Sequence, residues 1–152
     1  MKTQVYVYKV DGGAQKKTRE LFARVFREKY GVDVDYDKVL RNAHGKPQTV
    51  EGYYYNVSHS GDYWGIAIAD TEIGFDLQCR REMPARLRRK ILADGENEDL
   101  LVAWVLKEAY SKYLGIGLEL GMGNISCAEI REKCVVEDYS ADEYVAYSVK
   151  DN

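Results

Sequence analysis

The sequence is poor in proline, cysteine and long apolar stretches. Its 152 residues include only 2 Pro and 13 Gly, which excludes collagen-like and low-complexity proteins. Its 3 cysteines are odd in number and contain no Cys-x-x-Cys pair, which argues against a disulfide framework and a zinc site. The longest apolar runs, 63–69 and 100–106, are far shorter than the ~18 residues that a membrane span needs. We therefore expect a globular protein without a membrane span.

An excess of positive charge is also absent. The chain has 22 basic and 25 acidic residues and a net charge of -3, so it offers no general footprint for nucleic acid. Any site that binds an anion must therefore depend on a local group of basic residues and not on the charge of the whole chain. The first residues alternate polar and apolar types and contain no signal-peptide core, so we expect a cytoplasmic protein.

Tyrosine, by contrast, is abundant, with 13 residues. Because a tyrosine ring can be buried while its hydroxyl remains in contact with water, the high tyrosine content favours half-buried strands and a polar cleft. The hydrophobic pattern predicts strands at 4–10, 53–57, 63–69, 73–77, 125–130, 134–139 and 144–149, and helices at 18–30, 85–92 and 98–114. Two halves of similar make-up, 1–70 and 71–152, predict one α+β domain, 1–152, with a pseudo-two-fold and a cleft between the halves.

The segment 56–62 carries two serines and a histidine where a strand is predicted to end. Ser58, His59 and the following backbone N–H groups could cradle a phosphate. A turn whose Ser and Asp cap backbone groups is an equal alternative. Lys46, on a loop stiffened by Pro47 before the same strand, is a second candidate anion contact, although a loop lysine is usually solvated.

Asp76 lies inside an apolar strand, where Phe75 and Leu77 point to one face and Asp76 and Gln78 to the other. Burying a carboxylate is costly unless it meets a cation. The pattern predicts a metal or an arginine partner for Asp76, and a strand-end Asp facing solvent is the alternative.

The predicted helix 98–114 places Lys107, Glu108, Ser111 and Lys112 on one stripe. The plain interpretation is a surface helix whose Glu108–Lys112 pair adds a few tenths of a kcal/mol, roughly. A carboxylate beside two lysines also suits a metal-bound pyrophosphate, because Glu108 could hold a hard divalent cation while the lysines neutralise phosphate oxygens.

Taken in this order, the segments 45–47, 56–61, 73–76 and 104–118 resemble the motifs of the 4'-phosphopantetheinyl transferase superfamily, specifically its surfactin-synthetase-activating (Sfp) type. In the small holo-acyl-carrier-protein synthases, the Asp and Lys-Glu segments instead come before the Gly-Lys-Pro and Ser-His segments. The resemblance implies two similar α+β halves, related by a pseudo-two-fold, with coenzyme A in the cleft between them. It also implies Mg²⁺-dependent transfer of the phosphopantetheine arm of coenzyme A to a serine of an acyl or peptidyl carrier protein, which releases adenosine 3',5'-bisphosphate.

The same resemblance implies roles for individual residues. Asp76 and Glu108 match the magnesium-binding acids, and Gln78 stands where the family often has a third acid. The implied contacts to coenzyme A are Lys46, Pro47, Ser58, His59 and Lys112, with Lys112 on the pyrophosphate. Glu108 is the first candidate for the base that accepts the serine proton, and Glu96 is the second.

Two alternatives stay open here: a non-catalytic relative that binds coenzyme A or a carrier protein, and an unrelated interaction domain. The segment 80–90 contains six basic residues and one acid, Glu82. It predicts a docking surface for an acidic carrier protein, and a solvated helix face is the alternative. Because both halves of the expected cleft are in one chain, we expect a monomer.

Overall fold

The computed structural model of the chain describes residues 1–39, 41, 46, 49–116 and 121–152. The strands are β1 (Gln4–Lys9), β2 (Tyr54–Ser60), β3 (Tyr63–Ala69), β4 (Ile73–Cys79), β5 (Cys134–Asp138) and β6 (Tyr144–Asp151). The α-helices are α1 (Thr18–Tyr30), α2 (Arg88–Ile91), α3 (Leu100–Leu114) and α4 (Cys127–Lys133). Within the described ranges, no helix is both long enough and apolar enough to cross a membrane.

The strands form two three-stranded antiparallel sheets with the same strand order. In the first sheet β3 lies between β1 and β2, and in the second β6 lies between β4 and β5. In each half of the chain, the third strand in chain order lies at the centre of the sheet. A long helix, α1 or α3, follows the first strand of each half and precedes its second strand. This arrangement confirms the predicted α+β class.

Local signals set the ends of the two long helices. Helix α1 ends at Gly31, which adopts a left-handed conformation with φ 66° that glycine adopts without a steric penalty. Helix α3 begins after Asp99, whose side chain accepts hydrogen bonds from two N–H groups of the first turn. It ends at Gly115, which is also left-handed.

Three apolar layers hold these elements together. Helix α1 packs on one face of the first sheet, and α3 packs on the outer face of the second. The remaining faces of the two sheets pack on each other through small and large side chains, among them Ala67, Ala69, Phe75 and Leu77. The two sheets therefore meet along β2, β3 and β4, which is where the candidate site lies.

The predicted strand 125–130 is wrong, because this segment begins helix α4. Ser126 accepts a hydrogen bond from the N–H of Glu129, and the Glu129 carboxylate accepts one from the N–H of Ser126. This reciprocal pair is a capping box, which fixes a helix start. The predicted basic helix 85–92 is also shorter than expected, since residues 85–87 form a 3₁₀ turn before α2.

Candidate active site at the junction of the two sheets

Polar side chains of β2 bind the backbone of β4 and so join the two sheets. The acceptors are Asn56 Oδ1, Ser58 Oγ and Ser60 Oγ, and the donors are the N–H groups of Phe75, Leu77 and Cys79, at 2.7, 3.1 and 3.0 Å. We call these three β2 side chains the junction ladder. Because β4 pairs with β6 along its other edge, the ladder supplies acceptors to the edge that faces the first sheet.

The predicted strand end at Val57 is therefore wrong, while phosphate binding by segment 56–62 stays a prediction. Ser58, His59 and Ser60 are strand residues, paired in register with β3. Ser58 and Ser60 cap backbone N–H groups, as the alternative interpretation expected. Ser58 is 5% exposed and its hydroxyl bonds to Asp76 and Leu77, so the structure places it in the junction.

Asp76 is buried in this junction and meets a cation. Its Oδ1 accepts hydrogen bonds from Ser58 Oγ at 3.0 Å and Lys112 Nζ at 3.3 Å. Its Oδ2 is buried and has no hydrogen-bond partner among the described residues. Burial raises the pKa of Asp76, while Lys112 and Ser58 act against that rise. Asp76 therefore contacts a positively charged group, as predicted, but that group is a lysine and not the predicted metal or arginine. The alternative, in which Asp76 faces solvent, is wrong.

Glu108 lies one turn before Lys112 on α3 and is half-buried. Its pKa is raised by burial and then by the negative charge of Asp76, which shows that the two carboxylates interact. The Glu108 carboxylate forms no ion pair within the described part of the chain, since Lys112 pairs with Asp76 instead. The site thus contains two interacting carboxylates, and the expected Glu108–Lys112 pair is absent from it.

Lys112 bridges the two sheets, and His59 lies beside it. Lys112 Nζ donates to the carbonyl oxygens of Val57 at 3.4 Å and Phe75 at 3.1 Å. His59 is exposed, and strand alternation places it on the opposite face of β2 from Ser58. Burial of its ring and then the charge of Lys112 lower the pKa of His59. His59 therefore lies close enough to Lys112 and Asp76 for their charges to act on its ring.

Lys46 reaches the other end of the same junction. Its side chain is 8% exposed and pairs with Glu72. Its Nζ also donates to the carbonyl oxygens of Ile73 at 3.0 Å and Tyr113 at 3.3 Å. Burial lowers its pKa, and Glu72 acts against that shift. Lys46 therefore connects the start of β4 with the end of α3. Pro47, with the motif positions Gly45, Gly117 and Leu118, lies outside the described residues.

Lys107 and Glu96 form a separate buried ion pair. Lys107 is 1% exposed, and its Nζ lies 2.6 Å from Glu96 Oε1 and donates to two backbone carbonyls. The prediction that Lys107 shares a surface stripe with Lys112 is wrong, because its side chain enters the core. Burial acts to raise the pKa of Glu96, but hydrogen bonds from the Cys127 N–H, Lys107 and the Ala93 N–H outweigh it and lower that pKa to about 2.

A divalent cation fits the donors at Asp76. Among the residues that the structure describes, no group of three or more His, Cys, Asp or Glu side chains could hold a metal on its own. Magnesium, however, usually binds one or two carboxylates together with substrate phosphates and water. The unbonded Oδ2 of Asp76, the adjacent Glu108 and the amide oxygen of Gln78, on the same face of β4 as Asp76, are hard oxygen donors of that kind.

The basic segment 80–90 lies at the surface beside the start of α3. Its six basic side chains are all exposed. A cleft of about 590 Å³ is lined by Arg80, Arg81, Glu82, Met83, Arg88, Glu98, Asp99, Leu100 and Leu101. The surface therefore combines positive charge with a few apolar side chains.

Comparison with known proteins finds curated relatives of similar sequence. The 4'-phosphopantetheinyl transferase psf-1 of Bacillus pumilus is 24% identical over 148 residues, which cover 80% of this chain and 64% of that protein. The 4'-phosphopantetheinyl transferase Sfp of Bacillus subtilis (strain 168) is 24% identical over 149 residues, 80% of this chain and 66% of that protein. The chain is similar in sequence to 4'-phosphopantetheinyl transferases of the Sfp type. No family model matches it.

The chain spans just under two thirds of the length of the curated 4'-phosphopantetheinyl transferases that it matches. Among the described residues, the structure brings Asp76, Glu108, Lys112 and His59 together. It separates Glu96 from them, because Glu96 bonds to Lys107, Ala93 and Cys127.

Sequence reasoning missed the roles of Asn56 and Ser60 in the junction ladder. The spacing of Asn56, Ser58 and Ser60 does place them on one strand face. Three polar side chains on a single face of one strand are the signal that could have indicated a buried polar contact between two sheets.

Proposed function

We propose that the chain transfers the 4'-phosphopantetheine arm of coenzyme A to a serine of an acyl or peptidyl carrier protein. The observation that carries the proposal is the convergence of Asp76, Glu108 and Lys112 at the junction of the two sheets. Two carboxylates and an ammonium group suit a metal-bound diphosphate. The names of the relatives support the same activity.

We propose that halves 1–70 and 71–152 form one domain, related by a pseudo-two-fold, with the coenzyme A site between them. Support comes from the identical strand order of the two sheets and from the position of Asp76 where they meet. Because both halves belong to one chain, the proposed active form is a monomer. The proposed location is the cytoplasm.

In the proposed reaction the serine oxygen attacks the β-phosphorus of coenzyme A. A new serine O–P bond forms, and the bond from the β-phosphorus to the bridging oxygen breaks. The leaving group is adenosine 3',5'-bisphosphate, which keeps the bridging oxygen, and the serine proton passes to a carboxylate. Lys112 neutralises charge that develops on the diphosphate, because its ammonium lies at the junction and its side chain is 30% exposed.

Asp76 and Glu108 are the residues that would hold Mg²⁺, with Gln78 as a weaker third donor. When bound, the ion supplies neutralisation of the diphosphate oxygens. Asp76 offers its Oδ2, which has no donor among the described residues. Glu108 offers a carboxylate that is free of ion pairs in the same part of the chain.

Glu108 is also the base that we propose. The alternative, Glu96, accepts hydrogen bonds at both oxygens, from Lys107 and the Ala93 N–H on one and the Cys127 N–H on the other. A carboxylate held in this way has a pKa of about 2 and is a poor proton acceptor. Glu96 is better explained as a structural partner of Lys107.

The proposed phosphate contacts are Lys112 and His59 at the junction, with Lys46 adding charge from a side chain that is 8% exposed. Lys46 and Lys112 interact electrostatically, which supports a common field of positive charge. Pro47, which lies outside the described residues, stays a proposed contact to coenzyme A. Ser58 acts through Asp76 in this arrangement.

We propose that the carrier protein docks on segment 80–90. The six exposed basic side chains there would attract an acidic partner, and the cleft at Met83 and Leu100 would accept an apolar side chain. This surface follows β4 directly, so a docked serine would approach the site near Asp76.

The decisive experiment incubates the chain with coenzyme A, Mg²⁺ and a panel of apo carrier proteins, followed by intact mass spectrometry. We expect at least one carrier protein to gain the mass of the phosphopantetheine arm, with release of adenosine 3',5'-bisphosphate. Binding of coenzyme A without any mass gain across the panel would instead indicate the non-catalytic relative.

A further inference from the structure

The two oxygens of the Asp76 carboxylate lie in different surroundings. Oδ1 accepts hydrogen bonds from Ser58 Oγ and Lys112 Nζ. Oδ2 is buried, and no described residue donates to it. Asp76 is 3% exposed, so its carboxylate has little contact with bulk solvent. A buried carboxylate oxygen without a donor is costly, so this asymmetry needs an explanation.

Ser58 is held so that its hydroxyl proton faces Oδ1. Its oxygen accepts a hydrogen bond from the Leu77 N–H at 3.1 Å, which occupies one lone pair. The single hydroxyl proton then has two acceptors in reach, Asp76 Oδ1 at 3.0 Å and the Leu77 carbonyl at 3.4 Å. The shorter contact is to the carboxylate, which is also the stronger acceptor. Ser58 is 5% exposed, so solvent does not compete.

We propose that Ser58 is a positioning residue, which fixes the rotation of the Asp76 carboxylate so that Oδ2 is the oxygen presented to a divalent cation. This inference rests on the proposed function, because it takes the cation to be the one used in transfer. Lys112 alone would not fix the carboxylate as well, since its flexible side chain is 30% exposed and its Nζ also bonds to two carbonyls.

The charge balance of the junction supports a cation at this oxygen. Asp76 and Glu108 are two interacting carboxylates, and Lys112 is the one ammonium group that contacts either of them among the described residues. The nearby Lys46 is paired with Glu72. A divalent ion with hard oxygen ligands would balance the second carboxylate and supply the partner that Oδ2 lacks.

Ser60 provides a matched control in the same junction ladder. It caps the Cys79 N–H at 3.0 Å just as Ser58 caps Leu77. Its hydroxyl, however, approaches Gln78 Oε1 at 3.4 Å and not Asp76. Ser58→Ala and Ser60→Ala therefore remove the same kind of backbone cap, but only the first removes a donor from Asp76.

The test measures Mn²⁺ binding by electron paramagnetic resonance, with and without coenzyme A, and needs no turnover. Asp76→Asn defines the signal that does not depend on this site. Loss of a residue that orients a metal ligand typically weakens metal affinity by about 10- to 100-fold. We expect that loss in Ser58→Ala, a clearly smaller loss in Ser60→Ala, whose hydroxyl contacts, of the proposed metal donors, only Gln78, the weaker third one, and similar thermal unfolding temperatures for the two variants.

A second pair of variants covers the case in which Ser58→Ala fails to fold. Ser58→Thr and Ser58→Val have nearly the same shape and differ in the hydroxyl group, so Thr should bind Mn²⁺ more tightly than Val by a similar factor. Equal affinity of wild type and Ser58→Ala, equal affinity of the Thr and Val variants, or no Asp76-dependent Mn²⁺ binding in either condition would each overturn the inference. Mn²⁺ binding that follows this pattern without transfer to any carrier protein would refute the proposed function and leave the role of Ser58 standing.

Discussion

Gly74 and Ala109 bring strand β4 and helix α3 into direct backbone contact. A Cβ atom on Gly74 would lie 2.0 Å from the Ala109 carbonyl oxygen and 2.4 Å from the Tyr113 nitrogen. Both neighbours are backbone atoms of a helix and cannot move alone. Because Asp76 follows two residues later on the same strand face, this close approach also places Asp76 beside the face of α3 that carries Glu108 and Lys112.

We expect Gly74→Ala to destabilise the protein by about 3 kcal/mol or more, at the upper end of the usual range for overpacking. The added methyl group would force α3 away from β4. Urea denaturation measures the change. Gly123→Ala is the control, because a Cβ there would lie no closer than 3.6 Å to its neighbours. Equal stability of the two variants would show that β4 and α3 can separate without cost.

Asp76→Asn and Glu108→Gln should each abolish transfer while leaving the protein folded. Both changes keep the shape of the side chain and remove the charge that would hold Mg²⁺. Steady-state assays at several Mg²⁺ concentrations, with circular dichroism as the folding check, measure the effect. Glu132→Gln, an exposed carboxylate on α4, is the matched control and should keep full activity. Near-normal turnover in either site variant would remove that residue from the metal site.

Buried ion pairing predicts a stability effect at Glu96 and Lys107. Lys107→Met leaves the Glu96 carboxylate buried without its cation, which typically costs about 3–5 kcal/mol. Glu96 has a pKa of about 2, below its ordinary value of 4.5. Its contribution is therefore complete above about pH 4.5 and is lost as the pH falls from 4.5 towards 2.

Urea denaturation at pH 7 and pH 3 checks both statements. Glu96→Gln should be less stable than wild type at pH 7, and the difference should shrink at pH 3. Glu132→Gln again serves as the control. A constant difference at the two pH values would mean that the charge of Glu96 does not contribute to folding.

The parts of the fold that local signals determine could be predicted from the sequence. Helix α3 follows from its apolar pattern, the Asp99 cap and the left-handed Gly115. The charged partner of Asp76 follows from the cost of burying a carboxylate inside an apolar strand. In each case the deciding information lies within a few residues along the chain.

Contacts between distant segments could not be predicted in the same way. The inward direction of Lys107 depends on Glu96 and on the carbonyls of Ile91 and Met122, and a helical stripe does not reveal them. The junction ladder depends on the edge of β4 lying against β2. Helix α4 is different, because its Ser126-x-x-Glu129 capping box was present in the sequence and outweighs the strand-like apolar spacing around it.

His59 and Lys46 should influence the recognition of the 3'-phosphate of coenzyme A. A charge-assisted contact is worth roughly 1.5–3 kcal/mol. If either residue binds this phosphate, its alanine variant should lose much of the preference for coenzyme A over dephospho-coenzyme A. Competition binding with the two nucleotides measures the preference. Lys38→Ala, which removes an exposed lysine elsewhere, should change nothing, and an unaltered preference in both site variants would place the 3'-phosphate at other residues.

The basic segment 80–90 should control the encounter with the carrier protein. Arg86, Arg88 and Arg89 are exposed and form no ion pair within the described residues, so their charge is available to an acidic partner. Their replacement by glutamate should raise the apparent KM for the carrier protein steeply and abolish its dependence on salt. The KM for coenzyme A should stay nearly unchanged, because these side chains do not belong to the junction.

A second triple variant separates local docking from net charge. Lys2, Lys38 and Lys133 are exposed lysines outside segment 80–90, and their replacement by glutamate changes the net charge by the same amount. If steering depends on the location of the charge, this variant should raise the carrier KM far less than the first. Equal increases in the two variants would attribute the effect to overall charge. An unchanged carrier KM and salt response in the arginine variant would show that segment 80–90 is a solvated surface, because a docking site cannot lose three charges without weakening its complex.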